Sequence, residues 1–243
     1  MGRLLGIETD IGNRRTFNED SVGYYEDDDL GIYIVADGMG GHNAGEVASK
    51  LAKETIIEYI LNHKDESSER EILRTAIDTA NLKIYREGIL NDNCKGMGTT
   101  VVVAFIRRDN LTIANIGDSR AYILKNGELI KVTKDHSLVQ ELLDNGTITK
   151  EEAQNHPNKN VITRAVGTNS VVEADYYELD INTISKVVLC SDGLTNEVTE
   201  KDILEVIISN EPNQCMQLIN KSKENGGRDN VSVIIFKGEC EVR

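Results

Sequence analysis

The 243-residue sequence contains few prolines and no long apolar run. Its two prolines, and the absence of any low-complexity tract, give no sign of a linker or a disordered tail. The apolar stretches have the length of strands and fall short of the roughly 18 residues that a membrane span needs. The N-terminal residues 1–6 lead into acidic Glu8 and Asp10 without the apolar region of a secretory signal. We therefore expect one cytoplasmic, unanchored domain covering residues 1–243.

Paired cysteines are also absent. The four cysteines are widely spaced along the chain: Cys94, Cys190, Cys215 and Cys240. No C-x-x-C pair is present for zinc or redox chemistry. A thiolate phosphatase would need an arginine six residues after its cysteine, and no cysteine of this chain has one. We expect all four to be small buried hydrophobic residues.

Basic residues are scarce relative to acidic ones. The chain has 27 Lys and Arg against 41 Asp and Glu, for a net charge of −14. Because binding to a nucleic-acid backbone requires a basic surface, this balance argues against nucleic acid as the main partner. An acidic protein that handles phosphate would need cations to do so.

The order of predicted elements indicates an α+β fold. Runs of β-branched and aromatic residues predict strands at 4–10, 21–26, 30–36, 99–107, 111–116, 119–125, 128–132, 173–179, 186–191 and 229–236. Helical spacing predicts helices at 44–61, 69–88, 199–209 and 212–225. Ser68 with Glu71 forms a capping box, Gly88 is expected to end the second helix, and Pro212 to begin the last. Strands and helices in segregated runs favour two antiparallel sheets with helix pairs on their outer faces.

Two polar segments connect these elements. Residues 135–160 carry short helical patterns at 137–144 and 150–155 and are expected to form a flap over the sheets. Asn126-Gly127 predicts a tight hairpin, because both turn residues must adopt a positive φ.

Four aspartates stand at the ends of predicted strands, each next to glycine or asparagine. They occur as Asp37-Gly38, Gly117-Asp118, Asp192-Gly193 and Asp229-Asn230. Carboxylates at strand ends can point into one cleft, and Mg²⁺ and Mn²⁺ prefer oxygen ligands. The alternative is that each pair is only a turn. Four pairs in the same context favour a metal site.

The glycine-rich run 38–45 follows a strand and opens a helix, as a nucleotide-binding loop does. The G-x-G-x-x-G spacing fails because Asn43 holds the last glycine position, and no Gly-Lys-Ser/Thr sequence is present. The Asp37 carboxylate would also repel a pyrophosphate. A metal-independent nucleotide-binding domain is therefore the weaker alternative.

Six short motifs occur in a fixed order. They are Arg15–Asp20 (RTFNED), Asp37–His42 (DGMGGH), Gly98–Thr100 (GTT), Gly117–Arg120 (GDSR), Ser191–Leu194 (SDGL) and Asp229–Ser232 (DNVS). Together they resemble the motif series of the bacterial branch of the type-2C metal-dependent serine/threonine phosphatases. The match runs from about Leu5 to Phe236, and the ordered series is far more specific than any one motif.

The resemblance implies a four-layer α-β-β-α sandwich with metal ions in the cleft between the ends of the sheets. Asp37 would bridge two metals, with Asp192 and Asp229 on one and the Gly38 carbonyl on the other. Asp118 would join Asp192 at a third, weaker site.

The family's other motif residues would act around the metals. Glu19 and Asp20 would hold metal-bound waters, and Arg15 would bind the substrate phosphate, for which its planar fork is suited. Met39 stands where many eukaryotic relatives have a histidine that protonates the leaving alcohol. His42 is the nearest substitute, with a metal-bound water as the alternative acid.

The implied activity is hydrolysis of phosphoserine and phosphothreonine in proteins. A water activated by two or three Mn²⁺ or Mg²⁺ ions would attack phosphorus without a phosphoenzyme intermediate. The implied partners are phosphorylated proteins, including a bacterial serine/threonine kinase that this enzyme opposes, and a monomer is expected. The non-enzymatic alternative is a pseudophosphatase, although such proteins usually lose a metal aspartate and this chain keeps all of them. The remaining histidines are expected at helix ends or in the flap: His63, His136 and His156.

Overall fold

The computed structural model describes residues 2–40, 44–154, 156–209 and 211–240. Along these ranges the strands are β1 (Leu4–Asp10), β2 (Asp20–Glu26), β3 (Leu30–Met39), β4 (Gly98–Thr99), β5 (Val101–Arg107), β6 (Asn110–Ile116), β7 (Arg120–Lys125), β8 (Glu128–Lys131), β9 (Asp175–Asp180), β10 (Lys186–Cys190) and β11 (Val231–Lys237). The helices are α1 (Ala44–His63), α2 (Glu69–Leu90), α3 (Leu138–Asp144), α4 (Lys150–Gln154), α5 (Asp192–Thr195), α6 (Glu200–Ile208) and α7 (Gln214–Glu224).

The strands form two antiparallel sheets, as the sequence predicts. The first sheet has the order β1-β11-β10-β7-β8, and the second has the order β2-β3-β5-β6-β9 with β4 beside β3. The chain crosses from the second sheet to the first between β6 and β7. Strands from both halves of the chain are therefore interleaved in each sheet.

Hydrophobic layers fill the space between the sheets and under each helix pair. Ile32 and Ile34 of β3 pack against α1 and α2. Tyr33, on the opposite face, lies between the sheets, where its ring stacks on Phe236 with a centroid distance of 3.8 Å. On the far side of the first sheet, α6 and α7 pack through residues such as Leu218. The four-layer α-β-β-α arrangement is thus confirmed, and burial of both sheet faces explains why strands such as β5 are continuously apolar.

Local signals placed several boundaries correctly. The Ser68 side chain accepts a hydrogen bond from the Glu71 N–H at 3.4 Å and caps α2. Asn126 and Gly127 adopt φ values of 53° and 79°, as a tight hairpin requires. Residues 135–160 contain the two short helices α3 and α4. Within the described ranges, no helix combines the length and apolar character needed to cross a bilayer.

Among the helix boundaries that differ from the prediction, two have identifiable reasons. Gly88 keeps a negative φ, so α2 continues to Leu90, after which the Asn91 N–H donates to the Glu87 carbonyl at 2.9 Å. The last helix begins at Gln214 rather than at Pro212, because Asn213 between them adopts a left-handed backbone with a φ of 59°. The Gln214 side-chain amide donates to the Val206 carbonyl at 2.8 Å, which ties the start of α7 to α6. This contact is tertiary, so local sequence does not reveal it.

Helix α5 and one cysteine also differ from expectation. The four-residue α5 is too short to show a helical period in the sequence. Cys94, Cys190 and Cys215 are buried as expected, whereas Cys240 is exposed because it follows the last strand.

Candidate metal centre

Strand pairing brings the acidic motifs of both sheets to one end of the sandwich. In the second sheet Asp20 begins β2 and is the direct antiparallel partner of Asp37 on β3. In the first sheet Asp192 follows β10, and Asp229 precedes β11, its neighbouring strand. Asp118 lies on the link between the sheets, between β6 and β7. The predicted strand-end aspartates therefore converge.

The carboxyl groups are close enough to act on one another's pKa values. After the effect of burial, the charge of Asp192, which follows a strand of the other sheet, raises the pKa of Asp37. The carboxylates of Asp20, Asp118 and Asp229 also act electrostatically on Asp37.

The backbone of Asp37 is fixed by the motif Gly98–Thr100. The Asp37 carbonyl accepts from the Thr99 hydroxyl at 2.9 Å and from the Thr100 N–H at 2.8 Å. The Asp37 N–H donates to Thr100 Oγ1 at 3.1 Å, and this oxygen also contacts Ser119 Oγ at 2.7 Å. Pairing with β4 extends β3 to Met39, three residues beyond the predicted end, so Asp37 lies within the strand. Its side chain therefore leaves a backbone that cannot easily shift.

Glycines beside the aspartates permit close backbone contact. A Cβ on Gly38 would overlap the carbonyl oxygens of Gly45 and Glu19, and a Cβ on Gly193 would overlap the Asn230 carbonyl. Neither Gly38 nor Gly193 has a positive φ. These Asp-Gly pairs are thus sites of close packing rather than turns that need glycine for its conformation.

Asp20 is buried beneath the cluster and only half satisfied. Its Oδ2 accepts from the Ser191 hydroxyl at 2.8 Å and from the Ser232 hydroxyl at 2.6 Å. Its Oδ1 is buried without a hydrogen-bond partner. Sequence reasoning did not assign these serines a role, although both stand in the quoted motifs SDGL and DNVS.

Asp192 likewise has one hydrogen-bonded and one unpartnered carboxylate oxygen. It is the first residue of α5, and its Oδ2 accepts from the Asn196 side-chain amide at 2.9 Å. Its Oδ1 is buried and unpartnered. A buried acceptor without a donor destabilises the fold by about 1–3 kcal/mol, and a charged one by more. Two such oxygens in one cluster indicate a missing positive partner.

The raised pKa values of the clustered aspartates have the same electrostatic cause. Burial, then repulsion from Asp192 and Asp229, raises the pKa of Asp20 to about 7 despite its serine donors. Burial and the charges of Asp192 and Asp135 raise the pKa of Asp118 to about 8. Burial and neighbouring carboxylates hold the pKa of Asp37 well above its usual value. Without cations, the cluster resists full ionisation.

The donor chemistry fits hard divalent cations. Within the described parts of the chain, no three acidic, histidine or cysteine side chains are already arranged as a closed set of ligands. Mg²⁺ does not require one, because it keeps several waters and takes only one or two carboxylates directly. Oxygen-only donors and the unpartnered oxygens of Asp20 and Asp192 match that preference.

Comparison with known proteins decides the family. The protein phosphatase 2C family model matches residues 12–217. The chain belongs to the protein phosphatase 2C family. It is accordingly a protein serine/threonine phosphatase, a metal-dependent hydrolase.

Relatives of this phosphatase match it along nearly their whole length. The serine/threonine phosphatase stp of Listeria monocytogenes is 42% identical over 239 residues, covering 95% of this chain and 94% of the relative. The structure of Stp1 from Staphylococcus aureus has a TM-score of 0.89 at 34% identity, covering 99% of this chain and 97% of that one. The catalytic domain of the phosphatase PstP, solved with two manganese ions, has a TM-score of 0.82 at 35% identity, with 96% of each chain covered.

Arg15 of this phosphatase lies at the mouth of the acidic cluster. Its Nη2 donates to Asp229 Oδ2 at 2.8 Å, and its side chain is 48% exposed. This ion pair, followed in effect by the charges of Glu19 and Asp37, raises the pKa of Arg15. The guanidinium thus reaches both the cluster and solvent.

Asn230 fixes the loop that carries Arg15. Its Nδ2 donates to the carbonyls of Ile11 at 3.1 Å and Phe17 at 2.9 Å, and its Oδ1 accepts from the Glu19 N–H at 2.9 Å. Burial raises the pKa of the Glu19 side chain, and the nearby Gly45 N–H at the start of α1 opposes that rise. The sequence singled out the DNVS motif but did not predict this loop-fixing role for its asparagine.

The histidines fall in different places. His42, the suggested proton donor, lies outside the described residues. His63 ends α1, with Nδ1 2.8 Å from the Tyr59 carbonyl, and His156 lies in the flap, as expected. His136 also lies in the flap segment, but it is buried, with only 6% of its surface exposed.

Proposed function

We propose that this phosphatase hydrolyses phosphoserine and phosphothreonine esters of proteins at a centre of two or three Mn²⁺ or Mg²⁺ ions. The carboxylates of Asp37, Asp192 and Asp229 and the Gly38 carbonyl would hold two of these ions. Asp118 and Asp192 would hold the third. The convergence of these residues from both sheets supports this assignment.

The observation that carries the proposal is the pair of buried, unpartnered carboxylate oxygens, Asp20 Oδ1 and Asp192 Oδ1. Both belong to groups whose pKa is raised by burial and by other carboxylates. Bound cations would supply the missing positive charge, activate water as Lewis acids and offset the charge of the substrate phosphate.

The surrounding residues orient the reactants. Glu19 and Asp20 would hold ordered waters in the cleft, and Arg15 would bind the substrate phosphate while its contact with Asp229 keeps the guanidinium there. Water would attack phosphorus directly, without a phosphoenzyme. Ser191 and Ser232, two serines beside the cluster, support direct attack by water because their hydroxyls already donate to Asp20. His42 is the proposed donor of the proton to the leaving alcohol.

The proposed setting is the cytoplasm, where the enzyme acts as a monomer on phosphorylated proteins and opposes a serine/threonine kinase. An acidic chain with net charge −14 fits peptide substrates better than nucleic acid. Analytical ultracentrifugation tests the monomeric state. Dephosphorylation of a phosphothreonine peptide from a kinase activation segment tests the opposition to a kinase.

The direct test is Asp192→Ala, compared with Asp28→Asn in the exposed β2–β3 turn as a matched loss of charge. Because Lewis-acid stabilisation contributes several kcal/mol, Asp192→Ala should lower kcat/KM for a phosphothreonine peptide by about 100-fold or more. Asp28→Asn should have no effect. Hydrolysis of p-nitrophenyl phosphate by the wild type should stop on addition of chelator. Wild-type Mn²⁺-dependent activity in Asp192→Ala would show that the ligand assignment is wrong.

A further inference from the structure

His136 holds both peptide groups of Gly117, the residue before Asp118. The His136 backbone N–H donates to the Gly117 carbonyl at 2.9 Å. The His136 ring Nδ1 accepts from the Gly117 N–H at 3.1 Å. These peptide groups flank the Gly117 Cα, so their orientations define φ and ψ of Gly117. His136 therefore fixes the backbone conformation of the residue that precedes Asp118.

Gly117 needs such support from outside. It adopts a φ of 101°, in the region that favours glycine, and a Cβ there would overlap Thr100. Glycine has the widest conformational freedom of all residues and no side chain of its own to anchor it. Apart from His136, the described residues give Gly117 one longer contact, from Asn115 Nδ2 to its carbonyl at 3.3 Å.

The contacts of the ring determine its tautomer. A backbone N–H can only donate, so Nδ1 must carry the lone pair and Nε2 must carry the proton. Nε2 lies 3.2 Å from Asp175 Oδ2 and donates to it. Arg164 Nη1 is 3.3 Å from Nε2 but donates to Asp175 Oδ1 at 3.1 Å, so the arginine pairs with the carboxylate rather than with the ring.

The neutral ring is consistent with its surroundings. Burial lowers the pKa of His136, opposed by the carboxylates of Asp175 and Asp135 and supported by the charge of Arg164. A protonated ring would also direct an Nδ1–H at the Gly117 N–H. Asp175, at the start of β9, thus keeps His136 in the tautomer that can accept from Gly117.

His136 also belongs to the base of the flap. Its carbonyl accepts from the Thr163 N–H at 2.8 Å, and the next residue, Ser137, forms a β-bridge with Ile162. The preceding residue, Asp135, binds Arg120 Nη2 at 2.7 Å. Consecutive flap residues therefore hold the chain on both sides of Asp118, through Gly117 and through Arg120.

We propose that His136 is a positioning residue for Asp118, acting through a chain of hydrogen bonds from Asp175 to His136 to Gly117. This series of hydrogen bonds fixes the Gly117 backbone so that the Asp118 carboxylate faces Asp192 across their shared cavity. This inference rests on the proposed role of Asp118 as a metal ligand. It assigns a positioning role to a histidine whose ring contacts Gly117 and Asp175.

Two polar substitutions separate the halves of the chain of hydrogen bonds. In His136→Asn the amide oxygen can replace Nδ1 and accept from Gly117, while the donor to Asp175 is lost. In His136→Gln the amide nitrogen can replace Nε2 and donate to Asp175, while the acceptor for Gly117 is lost. His136→Leu removes both, and Asp118→Asn serves as the reference for loss of the third ion.

The readout is binding of Mn²⁺ to the chelator-treated protein by isothermal titration calorimetry, together with hydrogen exchange of the Gly117 amide by NMR. We expect His136→Asn to keep the Asp118-dependent binding step within about threefold of wild type. His136→Gln and His136→Leu should weaken that step by about 10- to 100-fold, the usual effect of removing an outer partner of a metal ligand. Both variants should also speed hydrogen exchange at the Gly117 amide. They should leave the tighter Mn²⁺-binding steps unchanged.

Equal binding by the Asn and Gln variants, whether both strong or both weak, would overturn the positioning role. This comparison stays decisive even if His136→Leu does not fold, which circular dichroism will show. If Asp118→Asn itself leaves the isotherm unchanged, the metal assignment of Asp118 is wrong and the inference falls with it. A loss in Asp118→Asn without a loss in His136→Gln overturns the inference alone.

Discussion

Arg15 illustrates how one side chain can serve the cluster and a substrate. Its single contact with Asp229 uses Nη2, and a guanidinium has five N–H donors in a planar fork. Both partners are partly exposed, at 48% and 30%, so solvent weakens the ion pair and it contributes little to stability. The contact instead holds the charge beside the carboxylates, where a phosphate dianion would gain most from it.

Replacing Arg15 should therefore affect substrate binding more than folding. Arg15→Ala should raise KM for a phosphothreonine peptide by roughly 10- to 100-fold, because a hydrogen bond to a charged group contributes about 1.5–3 kcal/mol. Arg15→Lys should recover only part of the loss, since it cannot bind phosphate through two parallel bonds. Steady-state kinetics measure both, with exposed Arg14→Ala as the control. An unchanged KM in Arg15→Ala would contradict phosphate binding by this residue.

The flap, residues 135–160, is an element with a fixed base and a separate outer part. At the base, Asp135 binds Lys131 at 2.6 Å, and the Leu138 N–H donates to the Val161 carbonyl at 2.8 Å. Beyond the base, the flap forms one wall of a cavity of about 690 Å³ that also includes Asp118 and Asp192. Lys150 and Lys159 line the same cavity: a peptide that enters it would meet flap side chains as well as the candidate metal ligands.

Shortening the outer flap should change substrate preference. Replacing residues 145–158 with a short Gly-Ser linker leaves the base and its contacts with Arg120 and Gly117 in place. We expect kcat/KM for phosphopeptides to change by about tenfold or more, and that for p-nitrophenyl phosphate by less than threefold, since a small aryl ester forms few contacts outside the metal centre. Lys150→Ala with Lys159→Ala provides a milder comparison. An equal loss on both substrates would count against a role in substrate choice.

The whole molecule places an acidic cluster at the meeting point of two sheets that are stabilised by apolar packing. The pKa values of Asp20 and Asp118, raised to about 7 and about 8, exceed the value of about 4 for aspartate in an unfolded chain. The metal-free folded state therefore holds protons that the unfolded state has released between about pH 4 and pH 8. Its stability should fall as pH rises through that window.

Thermal unfolding across pH tests this balance. In chelator, Tm should fall between pH 6 and pH 8.5, and Asp118→Asn should reduce that fall because an amide does not ionise. Mn²⁺ should raise Tm, and the increase should grow with pH because cations and protons compete for the same oxygens. Differential scanning calorimetry at fixed ionic strength measures both effects. A Mn²⁺-induced increase that is independent of pH would argue against ions bound by these carboxylates.

The sequence by itself determined the types of the longer helices and strands and the identity of the acidic cluster. Strand runs, the Ser68 cap and the Asn126-Gly127 turn depend on neighbours within a few residues, so local patterns sufficed. The motif order identified Asp37, Asp118, Asp192 and Asp229, because aspartates beside predicted strands are visible without knowing how the strands pair. Pairing with β4 then places Asp37 inside β3.

Only the tertiary structure decided what surrounds those aspartates. Ser232 donates to Asp20 from 212 positions away, and His136 reaches Gly117 from 19 positions away. Such contacts depend on which strands become neighbours and on how the flap returns to the sheet, and no local period encodes either. The hydrogen bond from the Gln214 side chain to the end of α6 is another contact of this kind. Local sequence patterns show on which strands and loops the candidate site residues lie. Packing between segments that are distant in the sequence decides which residues form hydrogen bonds with them.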